Sequence, residues 1–177
     1  WAQPQYPYKV MSGGGNYVFK DEREVPDTFH LIAEYAREHS VVLTSSMANS
    51  QHIPGLIRGH EGTIIMVEHG QFERPTPNIT LKPERRTVGK NAEYKQKFGF
   101  DDKLEDKLVA VDQKESMSTH VANFLECMRT RQKPTLDVET AACAQVLITM
   151  AVQSFRQGKV LYFDEKNFKV VDTPPRA

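Results

Sequence analysis

Between Thr28 and His69 the chain carries three runs of apolar residues, Thr28 to Tyr35, Ser40 to Met47 and Thr63 to His69. Each is about 6 to 8 residues long, the length of a strand rather than a helix. In the first, Phe29, Leu31, Ala33 and Tyr35 fall on one side and Thr28, His30, Ile32 and Glu34 on the other, the alternation of a half-buried strand. Ala36 to His39 is a short connection, and Val41, Val42 and Leu43 follow it, so the first two runs predict an antiparallel hairpin. The third run sets Ile64 and Met66 on one face and Ile65 and Val67 on the other, a strand that needs cover on both sides. Upstream, Tyr6 to Ser12 predicts a strand, with Gly13, Gly14 and Gly15 forming a bend or bulge before Asn16 to Lys20 resumes extended character. Asn78 to Lys82 and Lys107 to Asp112 predict further strands, and Val160 to Phe163 with Phe168 to Val171 a last hairpin.

Helical spacing belongs to the C-terminal part, apart from a short helix around Asn91 to Phe98. From Met117 to Arg129, the residues Val121, Phe124, Leu125 and Met128 stand at i, i+3, i+4 and i+7 on one face, with Ser116 or Ser118 to cap the start. From Asp137 to Gln157 the signals are an Asp137 N-cap, Glu139 in the first turn, Arg156 in the last and Gly158 just past the end. The apolar residues of this second helix, among them Val146, Leu147, Ile148, Met150, Ala151, Val152 and Phe155, cover more than one stripe and predict deep burial. Hairpin-linked strands followed by two long helices predict an α+β fold: an open, largely antiparallel (mixed) sheet with both helices on one face. Two helices cover one face only, so the other is expected to be available for oligomerisation, as a homo-oligomer. All 177 residues are expected in a single domain, with the strongly charged stretch 83–115 as a polar surface excursion.

Composition narrows the partners. Lys plus Arg number 23, matched by 23 Asp plus Glu, which leaves no broad positive field for nucleic acid. The apolar runs are expected to fall short of the roughly 20 residues that span a bilayer, and the start lacks a signal-peptide pattern, so a soluble chain is expected, cytoplasmic rather than exported. Cys127 and Cys143 sit among apolar residues in the helical stretches and are expected to be buried, reduced thiols. Trp1 is a poor natural N-terminus, so a fragment of a longer protein is expected.

The candidate chemistry is thin. The triple glycine is followed by neither Gly-Lys-Ser/Thr nor a helix, and its spacing is not G-x-G-x-x-G, so it is read as a turn. His60 and Glu61 lack a second histidine at helical spacing, and His30, His39, His52, His69 and His120 show no short metal spacing. No serine or cysteine stands in a nucleophile elbow. No residue is therefore assigned a catalytic, cofactor or metal role. The densest group able to recognise a polar ligand is Asn49, His52, Arg58 and His60, with His120 on the first long helix. Arg58 and His60, two apart on an extended segment, project to one side and suit a carboxylate, a phosphate or a polyol. The same pair suits an ion pair to a glutamate across the sheet or a subunit interface.

The order of VPDTFHLIAEY, SVVLTSSMANSQHIPGLIRGHEGTI and THVANFLECMRTRQKPTLDVETAACAQVLITMAVQSFRQGKVLYFD resembles the C-terminal domain of the glucose-fructose oxidoreductase and inositol dehydrogenase (Gfo/Idh/MocA) family. The likeness runs over nearly the whole chain and is carried most by I-x-G-x-x-G-T at Ile57 to Thr63 and by NFLECMRTRQKP at Asn123 to Pro134. It implies a parent with an N-terminal Rossmann domain for NAD or NADP that moves hydride to or from carbon-bound hydroxyls of sugars, inositols and related compounds. It also implies dimers or tetramers built through the open sheet face. The family's glycine fingerprint, its Glu-Lys-Pro segment and its Asp-x-x-x-His helix have no counterpart in this sequence, so none of their roles passes to a residue here. The connection Ala36 to His39, AREH, departs from the family in lacking a turn glycine. Two functions follow as expectations: the substrate-side and oligomerisation domain of such an oxidoreductase, inactive alone, or a non-catalytic assembly module whose polar residues make interface contacts.

Overall fold

The computed structural model describes residues 4–70, 78–111 and 116–175. In chain order the elements are β1 Lys9–Gly15, β2 Thr28–Tyr35, β3 His39–Ser46, β4 Gly55–Arg58, β5 Gly62–Val67, β6 Asn78–Pro83, α1 Arg85–Val88, α2 Ala92–Phe98, β7 Lys107–Ala110, α3 Met117–Thr130, α4 Val138–Gln157, β8 Leu161–Asp164 and β9 Lys169–Val171. The strands form two open sheets, β3-β2-β1-β8-β9 and β4-β5-β6-β7, and every pairing is antiparallel. The fold is thus α+β, with a long helix packed on a sheet. Contacts divide the chain into two compact units, Trp1–Ser50 with Asn123–Ala177, and Gln51–Ala122.

The first unit is built as the alternation predicts. Leu31 and Ala33 of β2 are buried, and with Val10, Leu161 and Phe163 they form one side of a core whose other side is Met150 and Ala151 of α4. The packing is directional as well as apolar, because Ser12 and Ser154 clamp β1 to α4. Ser12 Oγ donates to the Ala151 carbonyl at 2.6 Å, the Ser12 amide donates to Ser154 Oγ at 3.0 Å, and Ser154 Oγ donates to the Lys159 carbonyl at 2.6 Å. Helix α4 starts where Asp137 accepts the Thr140 amide at 2.7 Å and stops at Gly158, whose φ of 61° is the left-handed conformation that ends helices.

Several expectations are corrected here. The glycine run does not end β1: Gly13, Gly14 and Gly15 pair in register with His30, Phe29 and Thr28. A side chain at Gly14 would stand 2.0 Å from the Thr28 carbonyl oxygen, so the close approach of two backbones, not a bend, explains that residue. The AREH turn closes without glycine because Glu38 itself takes φ 54°. Helix α4 buries one stripe rather than its whole circumference, with Ile148 and Val152 exposed. It is also long and apolar enough to pass as a bilayer span, contrary to the sequence reading. Its seat on β1 and β8 accounts for the buried stripe. Helix α3 keeps its apolar stripe, but no residue of it is buried among the described residues. Both cysteines are free thiols, half-buried rather than fully buried.

In the second unit, β4 and β5 form a hairpin whose turn is closed by the Gly59 amide donating to the Gly62 carbonyl at 2.8 Å. A Cβ at Gly62 would lie 2.6 Å from the Lys82 carbonyl oxygen of β6, which gives the second glycine of I-x-G-x-x-G-T its physical reason. The charged stretch after Pro83 is more than a solvated excursion. Glu84 and Asn91 cap α1 and α2, Val88 and Leu104 are buried, and Lys107 Nζ donates to the Phe98 carbonyl at 2.9 Å beyond the end of α2.

Candidate functional site

The polar residues singled out from the sequence are all exposed. Asn49 follows β3 in the first unit, whereas His52, Arg58, His60 and His120 belong to the second. Arg58 is the last residue of β4, opposite Thr63. His60 lies beyond the strand, in the two-residue turn between Gly59 and Gly62, so the alternation that would put it beside Arg58 stops at Arg58, two residues before it. His120 stands in the first turn of α3, its amide donating to the Ser116 carbonyl at 3.0 Å.

The hairpin tip is held from behind by residues that the sequence did not single out. The Glu61 carbonyl accepts the Glu84 amide at 2.8 Å. Burial, and after it the nearby Glu61 carboxylate, pushes the Tyr94 phenol of α2 above its ordinary range. Arg58 and His60 are thereby presented at a braced turn, a guanidinium fork and an imidazole open to solvent. The signal for Tyr94 was its place in the short helix at Asn91 to Phe98; nothing in the sequence links it to Glu61.

A second concave feature lies wholly in the first unit, a pocket of about 480 Å³ lined by Phe124, Lys133, Pro134, Leu136, Val138 and neighbours at the start of α4. Its polar pair is Lys133 and Asp137, at 2.5 Å. The lysine, and after it the Thr140 amide, hold the Asp137 carboxyl at about 2. None of the sequence-selected residues lines this pocket. The pair is engaged in capping α4 and leaves the wall mainly apolar.

The loop joining β1 to β2 is organised by Asp27, which is 2% exposed. Its carboxylate accepts the amides of Tyr17, Val18 and Phe19 at 3.2, 2.8 and 2.9 Å, and the Thr28 hydroxyl at 3.0 Å. Burial alone would raise this carboxyl; the amides of Phe19, Val18 and Tyr17 outweigh it and hold the group at about 2. Among the described residues, no three His, Cys, Asp or Glu side chains gather as a metal-ligand set. The triple-glycine amides lie in the β1–β2 ladder and open no helix, so they form no cradle for a dinucleotide pyrophosphate.

The face of the first sheet away from α4 is open. Residues opposite one another in an antiparallel pair share a face, so Val42, Ile32 and Met11 make one row across β3, β2 and β1. They are 67%, 41% and 42% exposed, an uncovered apolar band. The third apolar run predicts an open face on β5; the exposed row lies instead on β1 to β3, while the residues of β5 are half-buried or buried.

A sequence model of an oxidoreductase family, described as its C-terminal alpha/beta domain, matches residues 9–163. No curated protein matches the chain. Among solved structures, the chain resembles an aldose-aldose oxidoreductase from Caulobacter crescentus complexed with glycerol, at 12% identity and TM-score 0.62, over 90% of this chain and 42% of that one. It also resembles an NAD-binding protein from Listeria innocua, at 13% identity and TM-score 0.56, over 90% and 42%. A third likeness is to the WlbA dehydrogenase from Bordetella pertussis in complex with NADH and UDP-GlcNAcA, at 16% identity and TM-score 0.52, over 90% and 42%. The chain therefore spans less than half the length of these proteins, and at such identities the likeness is one of fold.

Proposed function

Because the chain belongs to the Gfo/Idh/MocA oxidoreductases, as their C-terminal α/β domain, we propose that it supplies the substrate side and the oligomer contacts of an NAD(P)-dependent oxidoreductase. The substrates would be sugars, inositols or related hydroxyl and carbonyl compounds, and this domain would be inactive alone. The observation that carries the reading is the family match over residues 9–163, which takes in both compact units and so favours treating all 177 residues as one such domain. The sugar class is supported by the neighbours, one an aldose-aldose oxidoreductase and another complexed with NADH and UDP-GlcNAcA. The nicotinamide, which supplies or accepts the hydride when bound, would be held by the N-terminal dinucleotide-binding domain of such an enzyme.

In this reading Arg58 and His60 at the braced hairpin tip orient hydroxyl or acidic groups of the substrate, with His52 and His120 of the same unit as further candidate contacts. The assembly reading keeps a specific observation in its favour, the exposed row Met11, Ile32 and Val42. Alanine substitution of Arg58 and His60 in the full-length enzyme separates the two. A fall in kcat/KM of at least about tenfold, roughly 1.4 kcal/mol, with the oligomer intact supports substrate contact. Dissociation with activity retained assigns these residues to the interface instead.

A further inference from the structure

We infer that Gly13 is a contact residue of self-association: its bare backbone forms a notch in the open face of the first sheet, and Met11 of a second copy fills it. This rests on the oligomerisation reading above, and goes beyond it by fixing which residues meet. Of the three consecutive glycines on β1, two are explained by the chain itself. A side chain at Gly14 would meet the Thr28 carbonyl oxygen at 2.0 Å, and one at Gly15 would meet the Tyr17 ring at 2.9 Å. A Cβ at Gly13 would meet no atom within 4 Å among the described residues, and its φ lies outside the left-handed region. A glycine inside a strand weakens it and often marks the close approach of something else. Neither packing nor backbone conformation asks for glycine at this position, so the approach comes from outside the fold.

The surroundings of Gly13 suit a second copy of the same face. By alternation Gly13 stands on the open side, with Met11 two residues before it and Gly15, under the Tyr17 ring, two residues after it; His30 is its neighbour across β2. The notch is thus one side chain wide and lies beside the exposed ridge of Met11, Ile32 and Val42. Two residues of a strand span roughly 7 Å. A two-fold axis lying in the contact plane and crossing β1 over Ser12 therefore lays the Met11 of each copy on the Gly13 of the other. Along the same rows it lays Ile32 on His30 and Val42 on Thr44. The polar atoms of that receiving row are turned to one another, His30 Nδ1 and Thr44 Oγ1 standing 3.0 Å apart. On the other side of the ridge Lys9 is paired with Glu34 at 2.8 Å, so neither enters the contact as a lone ion. An apolar ridge beside a notched row whose hydrogen bonds are internal is complementary to its own copy.

The test is the dissociation constant of the self-complex of this chain, measured by sedimentation equilibrium. Gly13→Val is expected to weaken association at least about tenfold, because a two-fold contact fills both notches at once. Gly13→Ala carries the same test with a smaller group and is expected to weaken it less. At concentrations where the wild type is monomeric, both variants are expected to melt no lower than the wild type, since glycine is the weaker strand residue. Cutting back the ridge separates direct contact from a general loss. Gly13→Val combined with Met11→Ala is expected to associate more tightly than Gly13→Val alone, because the shortened side chain makes room for the added one. A Gly13→Val complex as tight as wild type, a double variant no tighter than Gly13→Val, or a lowered melting midpoint overturns the inference and leaves the oligomerisation reading standing. A wild-type chain monomeric at every concentration overturns both.

Discussion

Asp27 shows how much one buried carboxylate can organise. Three consecutive amides converge on it, and the Asn16 side chain, which accepts the Asp27 amide and donates to the Arg23 carbonyl, completes the hold on the loop. Its folded value near 2 lies below the ordinary 3.8, so its contribution to stability is present above the ordinary value and is lost as pH falls from there through about 2. Asp137 behaves in the same sense, through Lys133 and the Thr140 amide. Asp27→Asn is expected to lower the thermal midpoint by several degrees at neutral pH, and to lose less than wild type between about pH 4 and about pH 2. Urea denaturation across that range checks it, and a parallel loss in both proteins would remove the carboxylate from its assigned role. The sequence showed Asp27 only as the end of a charged connection. Its partners are backbone amides of a loop, and composition says nothing about where amides point.

Elements were legible wherever local chemistry decides them. β2 was read to the residue, and α4 was read with its Asp137 cap and Gly158 stop, because alternation and capping are properties of neighbouring residues. What escaped was the use of each face. Ser154 is a polar residue on an apolar helix, yet it is buried and carries both sides of the clamp to Ser12 and Lys159. Ser154→Ala is expected to cost about 1–3 kcal/mol by leaving the Ser12 amide and the Lys159 carbonyl unpartnered. Equilibrium denaturation measures it, and a change under about 0.5 kcal/mol would show that the clamp contributes little. The alternation that paired Arg58 with His60 does not reach the second residue, for a related reason. Alternation holds only inside a strand, and the strand ends at Arg58.

At the scale of the whole molecule, the family match and the proposed role make a plain demand on the chain itself. Calorimetric titration of these 177 residues with NAD(H) or NADP(H) is expected to give no specific heat, and a micromolar dissociation constant would sink the proposal that cofactor binding lies elsewhere. The sequence by itself determined the α+β class and most of the strands and helices, since these follow from periodicity and caps, while the family rested on the resemblance of its motifs, and β4 and α1 were not legible in it. Only the tertiary structure decided that the strands divide into two antiparallel sheets, that α4 buries one stripe, and that the uncovered apolar row runs through Met11, Ile32 and Val42. The reason is physical. Local pattern states that a face is apolar, but which face is covered depends on pairing partners far away in the chain, and that information exists only once β1, β2 and β8 have come together under α4.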